Sequence, residues 1–180
     1  MKFAFAPVVI AAGIVLASQS AHAVDGTITF NGNITPTSCE INGNGTSSKS
    51  FTVTLPTVSA KTLNTAGARA GRTPFTIALS CDADTGAVHT YFEPGPTTDA
   101  STGNLVINSG TGTASNVQIG LLNADFSLIK AGFADSAQNS LPMQLTGGTA
   151  TLSYFAEYVA TGQATSGSAN SSVMYTIAYP

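Results

Sequence analysis

Ser171-Ser-Val173-Met-Tyr175-Thr-Ile177-Ala-Tyr179-Pro180 is the stretch that decides the fold. Large apolar side chains stand at every second position, Val173, Tyr175, Ile177 and Tyr179, and a period of two places them on one face of a β-strand. No turn or cap follows, so the strand pattern is still running where the sequence ends. Near the other end, Val24-Asp-Gly26-Thr-Ile28-Thr-Phe30 alternates in the same way. Two strand-like ends on a small β-rich chain lead us to expect pairing between chains.

Working outward from the last strand, the interior repeats the pattern. Thr27–Thr35, Phe51–Leu55, Pro74–Ser80, Val88–Phe92, Leu105–Ile107, Val117–Leu122, Ser127–Lys130 and Thr149–Thr161 are strand candidates, separated by Gly, Asn, Ser and Pro clusters. In Pro74–Ser80 the residues Phe75, Ile77 and Leu79 share a face, and in Thr149–Thr161 so do Leu152, Tyr154, Ala156 and Tyr158. Ser59–Gly71, with its Ala, Leu and Lys, is the one region that supports a helical turn. Gly132–Pro142 reads as a loop. Many short strands at regular spacing predict an all-β sandwich.

Met1 to Ala23 reads as a secretory signal: Lys2 gives a charged start, Phe3–Leu16 is apolar, and Ala21-His22-Ala23 is a small-x-small cleavage site. The apolar run is too short to span a bilayer comfortably, which sets aside a membrane anchor. The mature chain from Val24 has the length of one domain with a real core. Charged residues make up only 8% of the sequence and the formal net charge is −3. With no basic cluster to neutralise phosphates, nucleic acid and anionic membrane are poor partners.

The sequence contains two cysteines, Cys39 and Cys81, both after the signal. Export to an oxidising compartment makes a disulfide the expected state. A loop of that size stabilises a fold by about 4 kcal/mol in the chain-entropy picture. A metal site would need more ligands, and His89 is the sole histidine after the signal.

Several fragments imitate catalytic motifs. Ser127-Leu-Ile-Lys130 matches S-x-x-K without its companion motifs. Asp84-Thr-Gly86 occurs once, whereas aspartic protease chemistry needs two carboxylates sharing a proton, so a turn is the better reading. Asp82-x-Asp84 begins like a calcium loop but lacks the later acidic ligands. His89 has no sequence-evident triad partner and reads as a polar position on a strand. We therefore expect no enzyme activity, no catalytic or metal residues and no cofactor. Asn33-Ile-Thr35, Asn44-Gly-Thr46 and Asn170-Ser-Ser172 match glycosylation acceptors, a pattern common by chance in so Asn-, Thr- and Ser-rich a sequence.

One pattern runs through Gly26-Thr-Ile-Thr-Phe30-Asn-Gly32-Asn-Ile34 into Cys39. It continues from Leu55-Pro-Thr-Val58 through Leu63, Gly67, Gly71, Pro74-Phe75 and Ile77 to Cys81. Tyr154-Phe155-Ala156-Glu-Tyr158, Gly167 and the penultimate Tyr179 complete it. In this order and spacing the residues resemble the pilin subunits of chaperone–usher fimbriae, such as those of type 1 and P pili. The resemblance covers essentially the whole mature chain. It implies an incomplete immunoglobulin-like β-sandwich lacking its last strand and completed by donor-strand complementation. The implied layout is a signal peptide at 1–23, an N-terminal donor extension at 24–35 and a pilin domain at 36–180.

The resemblance also assigns roles. The donor face would be Val24, Gly26, Ile28, Phe30 and Gly32. The acceptor wall, also gripped by the chaperone, would be Val173, Tyr175, Ile177, Tyr179 and the carboxylate of Pro180. Only two residues precede Gly26 after cleavage, so the outermost pocket is filled by Val24 or left empty. The implied partners are identical or related pilin subunits in a homopolymer, a periplasmic pilus chaperone and an outer-membrane usher. The implied location is the extracellular fimbrium, reached through the periplasm. Two other functions fit an all-β secreted protein. One is a minor or adaptor pilus subunit. The other is a carbohydrate-binding sandwich, which would need an exposed aromatic platform, with Tyr91 and Phe92 beside Glu93-Pro94 as the loop-edge candidates.

Overall fold

A computed structural model describes Ile28, Thr29, Gly32 and Ser38–Tyr179. The chain divides into Met1–Thr35 and Pro36–Pro180. Of the first unit, the described Ile28, Thr29 and Gly32 are exposed. The secretory signal and the donor positions Val24, Gly26 and Phe30 lie outside the described residues, as does Pro180.

The second unit is almost wholly β. Its strands are β1 (Cys39–Gly43), β2 (Arg69–Cys81), β3 (Ala87–Phe92), β4 (Leu105–Val106), β5 (Val117–Asn123), β6 (Leu128–Ile129), β7 (Met143–Gln144), β8 (Thr149–Ala160) and β9 (Tyr175–Ala178). A 3₁₀ turn at Ala60–Leu63 fills the ambiguous stretch before β2, and a single helical turn, α1 (Asp135–Gln138), stands within the expected Gly132–Pro142 loop. One sheet runs β1-β2-β8-β5-β4, with β6 on β5; the other runs β7-β3-β9. All the ladders are antiparallel. Among the described residues no helix is long and apolar enough to cross a membrane.

The core forms where the inward faces meet. Phe75, Ile77 and Leu79 of β2 and Leu152, Tyr154 and Ala156 of β8 pack with Val88 and Phe92 of β3 and Ile177 of β9. Their period of two is what aims them inward. A smaller cluster of Leu63, Val117, Ala160 and Ala164 packs separately. Cys39 and Cys81 face each other across β1 and β2 and form a disulfide.

The outer face of the larger sheet holds a feature that alternation alone hides. The β2–β8 register slips between Ala70 and Thr73, so that Gly71 and Arg72 together oppose Glu157. In a regular strand Arg69 and Arg72 would point to opposite faces; the extra residue turns both outward. Gly71 takes a φ of 70° there, a conformation that glycine tolerates, with Tyr158 against it. Glu157 is only 1% exposed, yet Arg69 donates to it from Nη1 at 2.6 Å and Arg72 from Nε at 2.8 Å. Buried charge is tolerated when paired in this way.

Candidate functional site: an open groove in the sandwich

Two stretches of the chain are strand-like in side-chain pattern but lack a ladder. Along 51–55 the residues Phe51, Val53 and Leu55 are partly buried while Thr52 and Thr54 are exposed. Phe51–Leu55 is expected as a strand; it keeps the alternating burial, but among the described residues none of its backbone groups has a hydrogen-bond partner. Ser171–Met174 likewise precedes β9 without strand pairing. On that side, Ser172 O accepts from Thr97 Oγ1 at 2.5 Å and Met174 O accepts from Glu93 N–H at 2.9 Å. Among the described residues the backbone groups of Val173 have no partner.

These two stretches are the walls of a groove of about 640 Å³, whose lining also includes Ile41, Phe75, Ile77, Phe92, Leu105, Ile119, Leu121 and Ala156. The floor is thus core side chain rather than polar atoms. Phe51 anchors its wall. Its ring lies 6.1 Å from that of Phe75 and 6.2 Å from that of Tyr175, and it occupies the space that a Cβ on Gly43 would need. Tyr175 ties the walls together at one end, its hydroxyl donating to the Lys49 carbonyl at 2.6 Å. Burial pushes the Tyr175 phenol above its ordinary pKa.

A slot with an apolar floor and unladdered walls suits an extended segment. Main-chain groups can complete ladders on either side while alternate side chains fill the floor. Drug-like pockets differ in converging polar groups on one point. No group of three or more potential metal ligands occurs among the described residues.

The predicted site residues are distributed as follows. Val173 and Tyr175 line the groove. Ile177 is buried in the core, paired with Thr90. Tyr179 is 36% exposed, with its hydroxyl 3.1 Å from the Cys39 sulfur. Ile28 and Gly32 are exposed. Sequence alone presents Phe51–Leu55 as one strand among many and does not single it out as the second wall. Its alternation, matching that of Val173–Tyr179, was the available signal.

The imitation motifs are accounted for by local contacts. Ser127 Oγ donates to Asp125 Oδ1 at 2.6 Å, while Lys130 Nζ sits 5.5 Å from the Phe133 ring centre. Asp82 accepts from Ser38 Oγ at 2.6 Å. His89 is a polar position on a strand, β3, as expected. It is buried, and its Nε2 lies 2.7 Å from Asp135 Oδ1, a partner that only the short α1 turn brings near. Phe92, a candidate for an exposed sugar platform, is instead 2% exposed and packs edge-on against Tyr154.

A sequence profile for the type-1 fimbrial protein family, FimA, matches residues 55–180. The chain belongs to the type-1 fimbrial protein family. It is 50% identical over 168 residues to the major fimbrial subunit SMF-1 of Stenotrophomonas maltophilia, covering 91% of this chain and 97% of that one. It is 49% identical over 175 residues to the F17 fimbrial protein of Escherichia coli, covering 93% and 95%. The fold aligns with a subunit of a solved chaperone–usher pilus at a TM-score of 0.58 and 21% identity, covering 86% of this chain and 95% of that one. The immunoglobulin-like sandwich is accordingly the incomplete one of pilins, and the protein is a structural fimbrial subunit of the extracellular pilus.

Proposed function

We propose that this fimbrial subunit polymerises head to tail by donor-strand exchange. The N-terminal extension of one copy, with Val24, Gly26, Ile28, Phe30 and Gly32 on its inserting face, would fill the groove of the next. The observation that carries this reading is the groove itself, in which 51–55 and 171–174 flank an apolar floor with no strand between them among the described residues. Burying Ile28 and Phe30 would contribute about 1.5–3 kcal/mol each. A one-residue slip would turn Thr27 and Thr29 to the floor instead, so the register is specified by the side chains. A donor on one face and an acceptor elsewhere make a heterologous contact that does not close, which yields a fibre.

Before assembly, a periplasmic chaperone would cover the groove with a strand of its own and grip Val173, Tyr175, Ile177, Tyr179 and the Pro180 carboxylate, delivering the subunit to an outer-membrane usher. The finished fimbrium would support bacterial adhesion. The name of the SMF-1 relative favours the major-subunit role over a minor or adaptor one. Deleting Val24–Phe30 tests the proposal. The shortened subunit should still be recovered with its chaperone and should fail to extend fibres seen by electron microscopy; continued polymerisation would refute the donor assignment.

A further inference from the structure

We propose that Asn44 is a site of spontaneous covalent modification, at which the side-chain amide is converted to aspartate or isoaspartate by ring closure onto Gly45. The end of β1 and the loop after it contain two successive Asn–Gly pairs, Asn42-Gly43 in the strand and Asn44-Gly45 in the loop, and the fold treats them oppositely. A third pair, Asn31-Gly32, has its asparagine outside the described residues.

Asn44 and Gly45 are both exposed and both have positive φ, 49° and 76°. They are the central residues of a turn closed by Thr46 N–H donating to Gly43 O at 2.9 Å. Among the described residues neither the Asn44 side-chain amide nor the Gly45 N–H has a hydrogen-bond partner, and a Cβ on Gly45 would meet nothing within 4 Å. The nucleophile is therefore unoccupied and the space for a ring is open. Asn42-Gly43 is chemically identical and structurally closed. Asn42 lies in the β1–β2 ladder opposite Ala78, Gly43 is buried with its N–H donating to Ser48 O at 2.8 Å, and the Phe51 ring covers its α-carbon.

In the reaction, hydroxide takes the Gly45 amide proton and the nitrogen attacks Asn44 Cγ. A bond forms between that nitrogen and Cγ, closing a five-membered imide, and the bond from Cγ to Nδ2 breaks to release ammonia. Water then opens the imide. Cleavage between the Asn44 backbone carbonyl carbon and the Gly45 nitrogen yields isoaspartate, with the backbone now running through Cγ; cleavage between Cγ and that nitrogen yields aspartate. Water and hydroxide are the sole reagents. Either product adds a negative charge to an exposed tip, and isoaspartate adds a backbone atom to the turn that leads into the Lys49–Phe51 groove wall.

The test is to incubate the folded, disulfide-bonded mature protein in warm, mildly alkaline buffer. Acid formation at each site is followed by peptide mapping and by isoaspartyl methyltransferase labelling. Position 44 should convert about tenfold or more faster than position 42, because reaction at 42 requires local opening of the ladder. In the reduced, urea-unfolded protein the two should convert at similar rates, and Gly45→Ala should slow conversion at 44 alone. Equal conversion at both sites in the folded protein, or conversion at 44 seen only after unfolding, would overturn the proposal.

Discussion

The centre of the larger sheet and the groove edge use the same sequence grammar to opposite ends. In β2 and β8 the alternating residues Phe75, Ile77, Leu152 and Tyr154 are buried, and their backbones pair without interruption from Thr73 to Ser80. In 51–55 and 171–175 the alternating residues Phe51, Val53, Val173 and Tyr175 are only partly buried, and among the described residues most of that backbone is unladdered. The difference teaches that alternation specifies a face and not a partner. On the proposed reading, a face is encoded within one molecule while the strand that covers it is supplied from elsewhere.

The contrast is most strongly tested at the charged side of the centre. Replacing Arg69 and Arg72 together with Met would leave Glu157 buried and unpaired, and stability measured by urea denaturation should fall by about 3–5 kcal/mol. Next, Leu152→Ala in the filled core should cost about 2–5 kcal/mol, and the loss should be the same with or without a synthetic peptide of residues 24–34. Phe51→Ala should behave differently. In the free subunit it should cost about 1 kcal/mol, because its ring is only partly covered, whereas the added stabilisation from that peptide should drop by a further ~1–2 kcal/mol. Equal Phe51 losses in both states would show that the groove edge is as self-contained as the centre.

The smallest effect concerns acid. Asp99 accepts from the Ser101 hydroxyl at 2.6 Å and from Gln118 Nε2 at 2.7 Å, and these bonds hold its carboxyl well below the usual carboxylate range. Its folded pKa is depressed, so its stabilisation is present above the unfolded value of about 3.9 and fades as pH falls through the folded one. Asp99→Asn should therefore flatten the acid side of the melting-temperature profile below about pH 4 and lower the melting temperature slightly at neutral pH.

Much of the fold was legible because long alternating runs leave few choices. β2, β3, β5 and β8 lie where Pro74–Ser80, Val88–Phe92, Val117–Leu122 and Thr149–Thr161 alternate. β1 was not, since Cys39-Glu-Ile-Asn-Gly43 carries only one bulky aliphatic residue, and β7 is too short to show a period. The groove's second wall was visible as a strand but not as a wall, because nothing local to Phe51–Leu55 says whether a neighbour is present. The His89–Asp135 contact and the two arginines on Glu157 were out of reach for another reason. The first spans 46 residues, and the second depends on a register slip that reverses the parity a strand pattern assumes.

The hydrogen bond from Tyr175 to Lys49 makes the two ends of the groove unequal. A slot pinned at one end works like a zip with a stop: the spacing of its sides is fixed there, and anything laid into it has a reference point from which to count. Without that pin both sides could spread alike, and a segment with apolar residues at every second position could sit two residues out of place almost as well.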